Sequence, residues 1–174
     1  MTRYGLILAG ALVMATAQSA LAAEDAPVCT APGTLPPGLL AWTMLAYRDA
    51  ATGPATVAAA RLTLGEAARV TLPGTAAVTY PLHPEKPGTP DSYGGLLQLV
   101  ITARGTYRIV LGSRAWIDVV TAKGVGVASA AHAMGPACTG IRKMVDFALA
   151  PGTYTLQLSG NAETAVSVLV IRLP

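Results

Sequence analysis

The sequence predicts an all-β protein, an antiparallel β-sandwich of the jelly-roll or immunoglobulin-like type, preceded by an export signal. Apolar and polar residues alternate with a period of two in one segment after another, as expected of strands with one buried face. These segments are short and are separated by Gly and Pro, for example at Pro73-Gly74, Gly94-Gly95 and Pro151-Gly152. Short strands broken by frequent turn signals are typical of sandwiches.

The first 22 residues have the pattern of a signal peptide. Arg3 precedes an apolar stretch over residues 5–17, and Ala20-Leu21-Ala22 is the small-residue pattern that signal peptidase cuts. The apolar stretch is shorter than the ~20 residues that a membrane-spanning helix needs. We therefore expect a periplasmic or secreted protein with a single domain at residues 23–174 and no membrane span after cleavage.

Three segments alternate most clearly, at residues 96–103, 106–111 and 153–158. Their predicted core faces are Leu97, Leu99 and Ile101, then Tyr107, Ile109 and Leu111, and finally Tyr154, Leu156 and Leu158. Further strands are expected at residues 56–64, 67–72, 115–121, 125–129, 143–149 and 165–173. The last is apolar almost throughout, which suits a central strand covered on both faces. Outside the leader, helical structure is expected only as a turn near residues 39–47.

Two of these strands open with the same tripeptide. Gly105-Thr-Tyr107 and Gly152-Thr-Tyr154 each lead from a turn into an alternating segment. We interpret the similarity as convergence on one good strand opening, in which Gly supplies the turn and Tyr packs at the sandwich edge.

Charge and motif content exclude several function classes. The chain has 12 basic and 9 acidic residues. They are scattered singly, whereas a nucleic-acid interface needs clustered Lys and Arg. No Gly-x-Ser-x-Gly elbow and no nucleotide-binding Gly pattern is present. Asp118 and Asp146 are both expected to face solvent from mid-strand positions, so they do not suggest a glycosidase pair. The composition favours a binding protein that is not an enzyme.

The two cysteines, Cys29 and Cys138, predict a disulfide. An isolated pair in an oxidising compartment usually forms one, and closing a loop of ~100 residues stabilises by up to ~4.7 kcal/mol in the chain-entropy model. The competing interpretation is that Cys138 is a thiol nucleophile, which needs a partner base and a reducing environment.

A Pro-rich segment, residues 80–95, holds much of the polar chemistry. Four prolines restrict its backbone, so that its side chains are displayed on a stiffened loop at a sandwich end. The predicted ligand-binding residues in this segment are His83, Glu85, Lys86 and Tyr93.

A second polar segment, residues 132–143, adds Arg142 and Lys143 as anchors for an anionic ligand or partner, and Trp116 or Tyr93 supplies a stacking face. His132 and Met134 form a His-x-Met pair, and imidazole and thioether both suit Cu(I). The alternative is that Met134 fills a gap and His132 is a surface imidazole.

The residues around this second segment resemble a known family. Ala115-Trp-Ile-Asp-Val-Val120, His132 to Met144 and Val145 to Asn161 are similar to small exported proteobacterial proteins, and the resemblance spans residues 80–161. Most members are uncharacterised, and some are labelled homogentisate 1,2-dioxygenase. In the family pattern His-Gly-His-Gly-Pro-x-Cys, Met134 stands where the second His falls.

The dioxygenase label implies Fe(II) held by two His and one carboxylate. In this chain such a set would have to come from His83, His132 and an acid such as Glu85. The strand openings are also similar to accessory sandwich domains of secreted enzymes, such as bacterial pre-peptidase C-terminal domains. We therefore expect an exported, non-catalytic binding or accessory protein for a small ligand or an exported partner, with no required cofactor; copper binding and Fe(II) oxygenase chemistry are the alternatives.

Overall fold

The computed structural model describes residues 28–174, and the predicted signal peptide at residues 1–22 lies outside the described residues. In the described part of the chain, ten strands are β1 (Leu45–Asp49), β2 (Ala67–Thr71), β3 (Tyr93–Ile101), β4 (Gly105–Leu111), β5 (Trp116–Thr121), β6 (Gly126–Val127), β7 (Ser129–Ala133), β8 (Lys143–Leu149), β9 (Gly152–Asn161) and β10 (Ala165–Arg172). Short 3₁₀ helices occupy Pro37–Thr43, Val57–Ala59 and Thr75–Ala77. Over residues 28–174, no helix is both long enough and apolar enough to cross a membrane.

The strands form two sheets in a sandwich-like arrangement. One sheet has six strands in the order β1-β2-β10-β4-β8-β7, and the other has four in the order β3-β9-β5-β6. The inner faces of both sheets contribute to one apolar core. The predicted all-β class is therefore confirmed, and strands β2 to β6 and β8 to β10 lie close to predicted strands. Strands β1 and β7 are not among the predicted strands.

The predicted antiparallel pairing holds for every neighbouring pair except β1 and β2, which are parallel. A parallel pair needs a long crossover connection. Residues 50–66 provide it by crossing to the edge of the four-stranded sheet, where Ala51 bridges Leu96 and Arg61 bridges Gln98 of β3. The strand predicted at residues 56–64 is wrong, because this crossover contains the helix Val57–Ala59 instead.

The predicted core faces are confirmed. Leu97, Leu99 and Ile101 of β3, Tyr107, Ile109 and Leu111 of β4, and Leu156 and Leu158 of β9 are all buried in the shared core, and Tyr154 is half-buried against it. Each of these sets follows directly from the two-residue period of a strand.

Strand β10 is covered on both faces, as its apolar sequence predicts. Val166, Val168 and Val170 lie in the shared core, while Leu169 lies in a second cluster on the outer face of the six-stranded sheet. This second cluster also contains Leu39, Trp42, Ala67, Val110, Ile141 and Met144. The helix Pro37–Thr43 supplies its outer cover, so the turn predicted near residues 39–47 is present up to Thr43, after which the chain enters β1.

The disulfide between Cys29 and Cys138 is present, with the two Cα atoms 5.5 Å apart. It joins the start of the described chain to the connection between β7 and β8. The backbone N–H of Gly33 donates to the Cys138 carbonyl at 2.8 Å, and the Trp42 indole N–H donates to the Thr139 carbonyl at 3.1 Å. The interpretation of Cys138 as a thiol nucleophile is wrong, because its sulfur is bonded to Cys29.

The two Gly-Thr-Tyr openings make the same local hydrogen bond. The Tyr107 hydroxyl donates to the Ala103 carbonyl at 2.7 Å, and the Tyr154 hydroxyl donates to the Ala150 carbonyl at 3.0 Å. Each tyrosine thus links the beginning of its strand to the backbone of the residue four positions earlier. Strand β4 belongs to the six-stranded sheet and β9 to the four-stranded sheet. The repeated tripeptide therefore reflects the same local geometry at the start of two strands in different sheets.

Candidate functional site

The Pro-rich segment is held against the outer face of the four-stranded sheet by Gln157. This residue of β9 is completely buried, and its amide makes two hydrogen bonds to the backbone of Leu82. The Gln157 Nε2 donates to the Leu82 carbonyl and the Leu82 N–H donates to Gln157 Oε1, each at 3.0 Å. The side chain therefore takes the place of a neighbouring strand for one residue of the segment.

Two further contacts fix the direction of the segment. The Tyr80 hydroxyl donates to the Leu158 carbonyl at 3.0 Å, and the Ser159 hydroxyl donates to the Lys86 carbonyl at 2.9 Å. The segment consequently runs along a sheet face rather than projecting from a sandwich end. Its path brings Glu85 and Lys86 beside Trp116 of β5.

Next to this segment, a cavity of about 550 Å³ opens between β5 of one sheet and β8 of the other. We call it the edge cleft. Its apolar lining consists of Ile117, Val127, Ala128, Val145 and Phe147, and its polar lining consists of Glu85, Trp116, Asp118, Ser129, His132 and Lys143. The chain passes from one sheet to the other here, because β6 belongs to the four-stranded sheet and β7 to the six-stranded sheet. The volume lies within the range found for small-molecule pockets.

Two ammonium groups lie over the Trp116 ring. The Lys143 Nζ is 5.4 Å from the ring centroid and the Lys86 Nζ is 5.7 Å from it, within the range of cation–π attraction. Lys143 also donates to the Ala115 carbonyl at 2.7 Å, which links the start of β8 to the start of β5. Burial lowers the pKa of Lys143. The indole therefore positions cations rather than offering a bare stacking surface.

Asp118 accepts a hydrogen bond from the same indole. The Trp116 Nε1 donates to Asp118 Oδ1 at 3.0 Å, and Gln157 Nε2 approaches Oδ2 at 3.4 Å. Burial raises the pKa of Asp118, the two hydrogen bonds oppose that rise, and the nearby Glu85 charge adds to it. The sequence-based expectation that Asp118 faces solvent is wrong, since the Pro-rich segment partly covers it.

Tyr80 is affected by the same environment. Burial, followed by the Asp118 charge, raises the pKa of the Tyr80 phenol to about 12. Its hydroxyl can therefore keep donating to Leu158 well into the alkaline range.

Asp146 is also not exposed as expected. It is 7% exposed on the outer face of the six-stranded sheet and forms a two-pronged ion pair with Arg108, at 2.7 and 2.8 Å. Asp118 lies on the outer face of the other sheet. The two carboxylates therefore do not form a pair.

Five predicted ligand or metal residues come together at one place. Glu85, Trp116, His132 and Lys143 line the edge cleft, and Lys86 lies over Trp116. The other four are elsewhere: His83 and Arg142 are exposed, Tyr93 begins β3 and packs partly against the core, and Met134 is 68% exposed and does not line the cleft.

Sequence reasoning missed Asp118, Gln157 and Phe147 as site residues. Their strands were predicted, but strand alternation assigns Asp118 and Gln157 to a solvent face and Phe147 to an ordinary core. A buried glutamine on a strand is recognised only when the covering segment is seen.

The donor set does not fit the iron site that the dioxygenase label implies. Glu85 and His132 line the cleft, whereas His83 is an exposed residue of the Pro-rich segment. Within residues 28–174, no three His, Cys, Asp or Glu side chains are grouped closely enough to hold a metal ion. Neither a protein-family model nor a curated protein sequence matches the chain.

Proposed function

We propose that this chain is an exported β-sandwich domain that binds a small ligand in the edge cleft and catalyses no reaction. The observation that supports it best is convergence: residues from the Pro-rich segment, β5, β7 and β8 meet at one cavity with an apolar floor and a charged rim. Polar groups placed around an apolar cavity are the usual design of a ligand site.

The arrangement of the cleft supports binding rather than catalysis. A nucleophile needs a base within hydrogen-bond reach. In the described residues, no hydrogen bond joins Ser129 to His132, or His132 to Asp118 or Glu85. The polar groups of the rim instead contact the indole and the backbone, which suits recognition.

The leader sequence and the disulfide together support export to the periplasm or the exterior. Disulfides persist in oxidising compartments and are rare in the cytoplasm. The resemblance to small exported proteobacterial proteins agrees with this location.

The proposal is tested by thermal denaturation of the mature protein with a chemically diverse set of small molecules, using Ala128→Trp to fill the cleft. Ala148→Trp is the matched control, because Ala148 is an exposed alanine like Ala128 but belongs to β8 and does not line the cleft. We expect at least one compound to raise the melting temperature of the native protein and of Ala148→Trp, but not of Ala128→Trp. The absence of any stabilising compound, or equal stabilisation of both variants, would contradict the proposal.

Cu(I) binding is a second candidate, favoured by the exposure of His132 and Met134. In the described part of the chain neither side chain makes a hydrogen bond, so both donors are accessible, and both suit Cu(I). Protein titrated with Cu(I) against a competing chelator should take up metal, and His132→Ala should abolish the uptake while His83→Ala leaves it unchanged. Equal uptake by His132→Ala would remove this candidate.

A further inference from the structure

The edge cleft contains acidic and basic side chains that form no ion pairs with one another. Among residues 28–174, the ion pairs are Arg48 with Glu66 and Arg108 with Asp146, and both lie outside the cleft. Glu85, Asp118 and Lys143 nevertheless line the same cavity. The cleft therefore presents separate negative and positive groups to whatever enters it.

The negative side has unused acceptor capacity. Each Asp118 oxygen accepts one hydrogen bond, from Trp116 or from Gln157, so that each keeps a second acceptor position. Glu85 is exposed at the rim and makes no hydrogen bond within the described residues. Burial raises the pKa of Asp118, which shows that its charge is poorly solvated. A ligand ammonium group would relieve that cost.

The positive side has unused donor capacity. Lys143 uses one short hydrogen bond, to the Ala115 carbonyl, and one long contact of 3.4 Å to the Arg114 carbonyl. Lys86 is exposed and is held near by the indole. Burial lowers the pKa of Lys143, so its charge is also poorly solvated. A ligand carboxylate would pair with these groups.

Part of the cleft lining is apolar. Ile117 comes from β5, while Val145 and Phe147 come from the inner face of β8. These three side chains are almost fully buried, whereas Val127 is half-buried and Ala128 is exposed. A ligand that carries a hydrocarbon group would therefore remove apolar surface of Val127 and Ala128 from water.

We propose that the edge cleft binds a small zwitterion with an apolar side chain, of the class formed by apolar α-amino acids and short apolar peptides. The ligand ammonium group faces Asp118 and Glu85, its carboxylate faces Lys143 and Lys86, and its side chain lies on Val127 and Ala128. This inference rests on the proposed function and specifies its ligand class.

The experiment is isothermal titration of the mature protein with a charge series built on one side chain. L-leucine carries both charges, leucinamide only the positive one, N-acetyl-leucine only the negative one, and N-acetyl-leucinamide none. Leucyl-leucine tests the peptide, and glycine tests the apolar contact. We expect L-leucine or leucyl-leucine to bind at least about tenfold more tightly than each singly charged analogue, since a lost hydrogen bond to a charged group has that effect.

Variants of the rim assign the charges. Glu85→Gln should weaken the binding of L-leucine and leucinamide but leave the binding of N-acetyl-leucine unchanged. Lys86→Gln should weaken the binding of L-leucine and N-acetyl-leucine but leave that of leucinamide unchanged. Both residues are exposed, so neither variant threatens folding. Glu163→Gln and Lys123→Gln, which are exposed and do not line the cleft, are the controls.

The outcomes separate this inference from the proposed function. If a singly charged or neutral analogue binds as tightly as the zwitterions, or if glycine matches L-leucine, the ligand class is wrong and cleft binding stands. If none of the series binds while another compound stabilises the protein in a manner that Ala128→Trp abolishes, only the ligand class is wrong. If no compound of either set binds, both proposals fail.

Discussion

Tyr107 and Tyr154 show how a single hydroxyl can define the start of a strand. Both side chains donate to a carbonyl four residues earlier, but Tyr107 is buried and Tyr154 is half-buried. Removing the Tyr107 hydroxyl leaves the Ala103 carbonyl without its hydrogen-bond donor. Water can replace the Tyr154 hydroxyl as donor more easily. The repeated tripeptide is thus explained by local geometry, without any need for duplication.

We predict that Tyr107→Phe lowers the free energy of unfolding by about 1–2 kcal/mol, and Tyr154→Phe by about 0.5–1 kcal/mol. The aromatic ring is retained in both variants, so packing is preserved and the difference reports the hydroxyl. Urea denaturation of each variant provides the measurement. A larger loss for Tyr154→Phe than for Tyr107→Phe would show that burial does not set the order.

Tyr80 gives the protein a distinct alkaline response. Its pKa of about 12 in the folded state lies above the ordinary phenol value of 10.0. Between these values the folded chain holds a proton that the unfolded chain has released, so stability falls as the pH rises through this interval. Below pH 10 both states are protonated and Tyr80 contributes no pH dependence.

We predict that Tyr80→Phe flattens the decline in stability between pH 10 and pH 12. The phenolate absorbance that Tyr80→Phe loses should develop near pH 12 in the native protein and near pH 10 in the denatured protein. Tyr47→Phe is the control, because it removes the hydroxyl of a tyrosine that is 82% exposed. Equal slopes for the native protein and Tyr80→Phe would contradict the prediction.

At the scale of elements, the Pro-rich segment depends on the strand beneath it. Gln157 bonds both backbone groups of Leu82 and also reaches Asp118, so one side chain connects the covering segment, the sheet and the cleft. The stiffness that proline gives the segment does not by itself determine where the segment lies on the sheet. The hydrogen bonds from β9 determine that position.

We predict that Gln157→Leu loosens the segment and speeds hydrogen exchange at the Leu82 amide at least tenfold, because the substitution removes the acceptor of that N–H. Ligand binding in the edge cleft should weaken in parallel, since Glu85 and Lys86 lose their support. Thr155→Val is the control, because Thr155 lies on the same face of β9 and makes no side-chain hydrogen bond in the described residues. Unchanged exchange at Leu82 would show that Tyr80 and Ser159 suffice to hold the segment.

The elements also show what a sequence can predict. The core faces of β3, β4 and β9 were predictable because strand alternation depends only on neighbouring residues. The parallel pairing of β1 with β2 was not, since it depends on where residues 50–66 cross. Likewise, Glu85, Lys86, Trp116, His132 and Lys143 were recognisable as candidates by residue type, but their convergence at one cleft depends on contacts between distant segments.

At the scale of the whole molecule, the disulfide joins the N-terminal segment to the far side of the six-stranded sheet. Cys29 and Cys138 are 109 residues apart in sequence. The segment that follows Cys29 leads into the helix Pro37–Thr43. Leu39 and Trp42 of this helix belong to the second apolar cluster, which we call the outer cluster. The cross-link therefore restricts the unfolded chain and also holds this helix in place.

We predict that Cys29→Ser/Cys138→Ser lowers the free energy of unfolding by about 3–5 kcal/mol, because the unfolded chain regains the entropy of a loop of this length. Thiol alkylation and mass spectrometry of the native protein should detect no free cysteine, and reduction should lower its melting temperature to that of the double variant. Trp42 fluorescence should shift to longer wavelength at lower denaturant concentration in the variant, since the outer cluster loses its tether. The prediction fails if native protein has two alkylated cysteines, or if the double variant is as stable as the oxidised protein. Either result would show that the outer cluster and the hydrogen bonds from Gly33 and Trp42 hold the N-terminal segment without the cross-link.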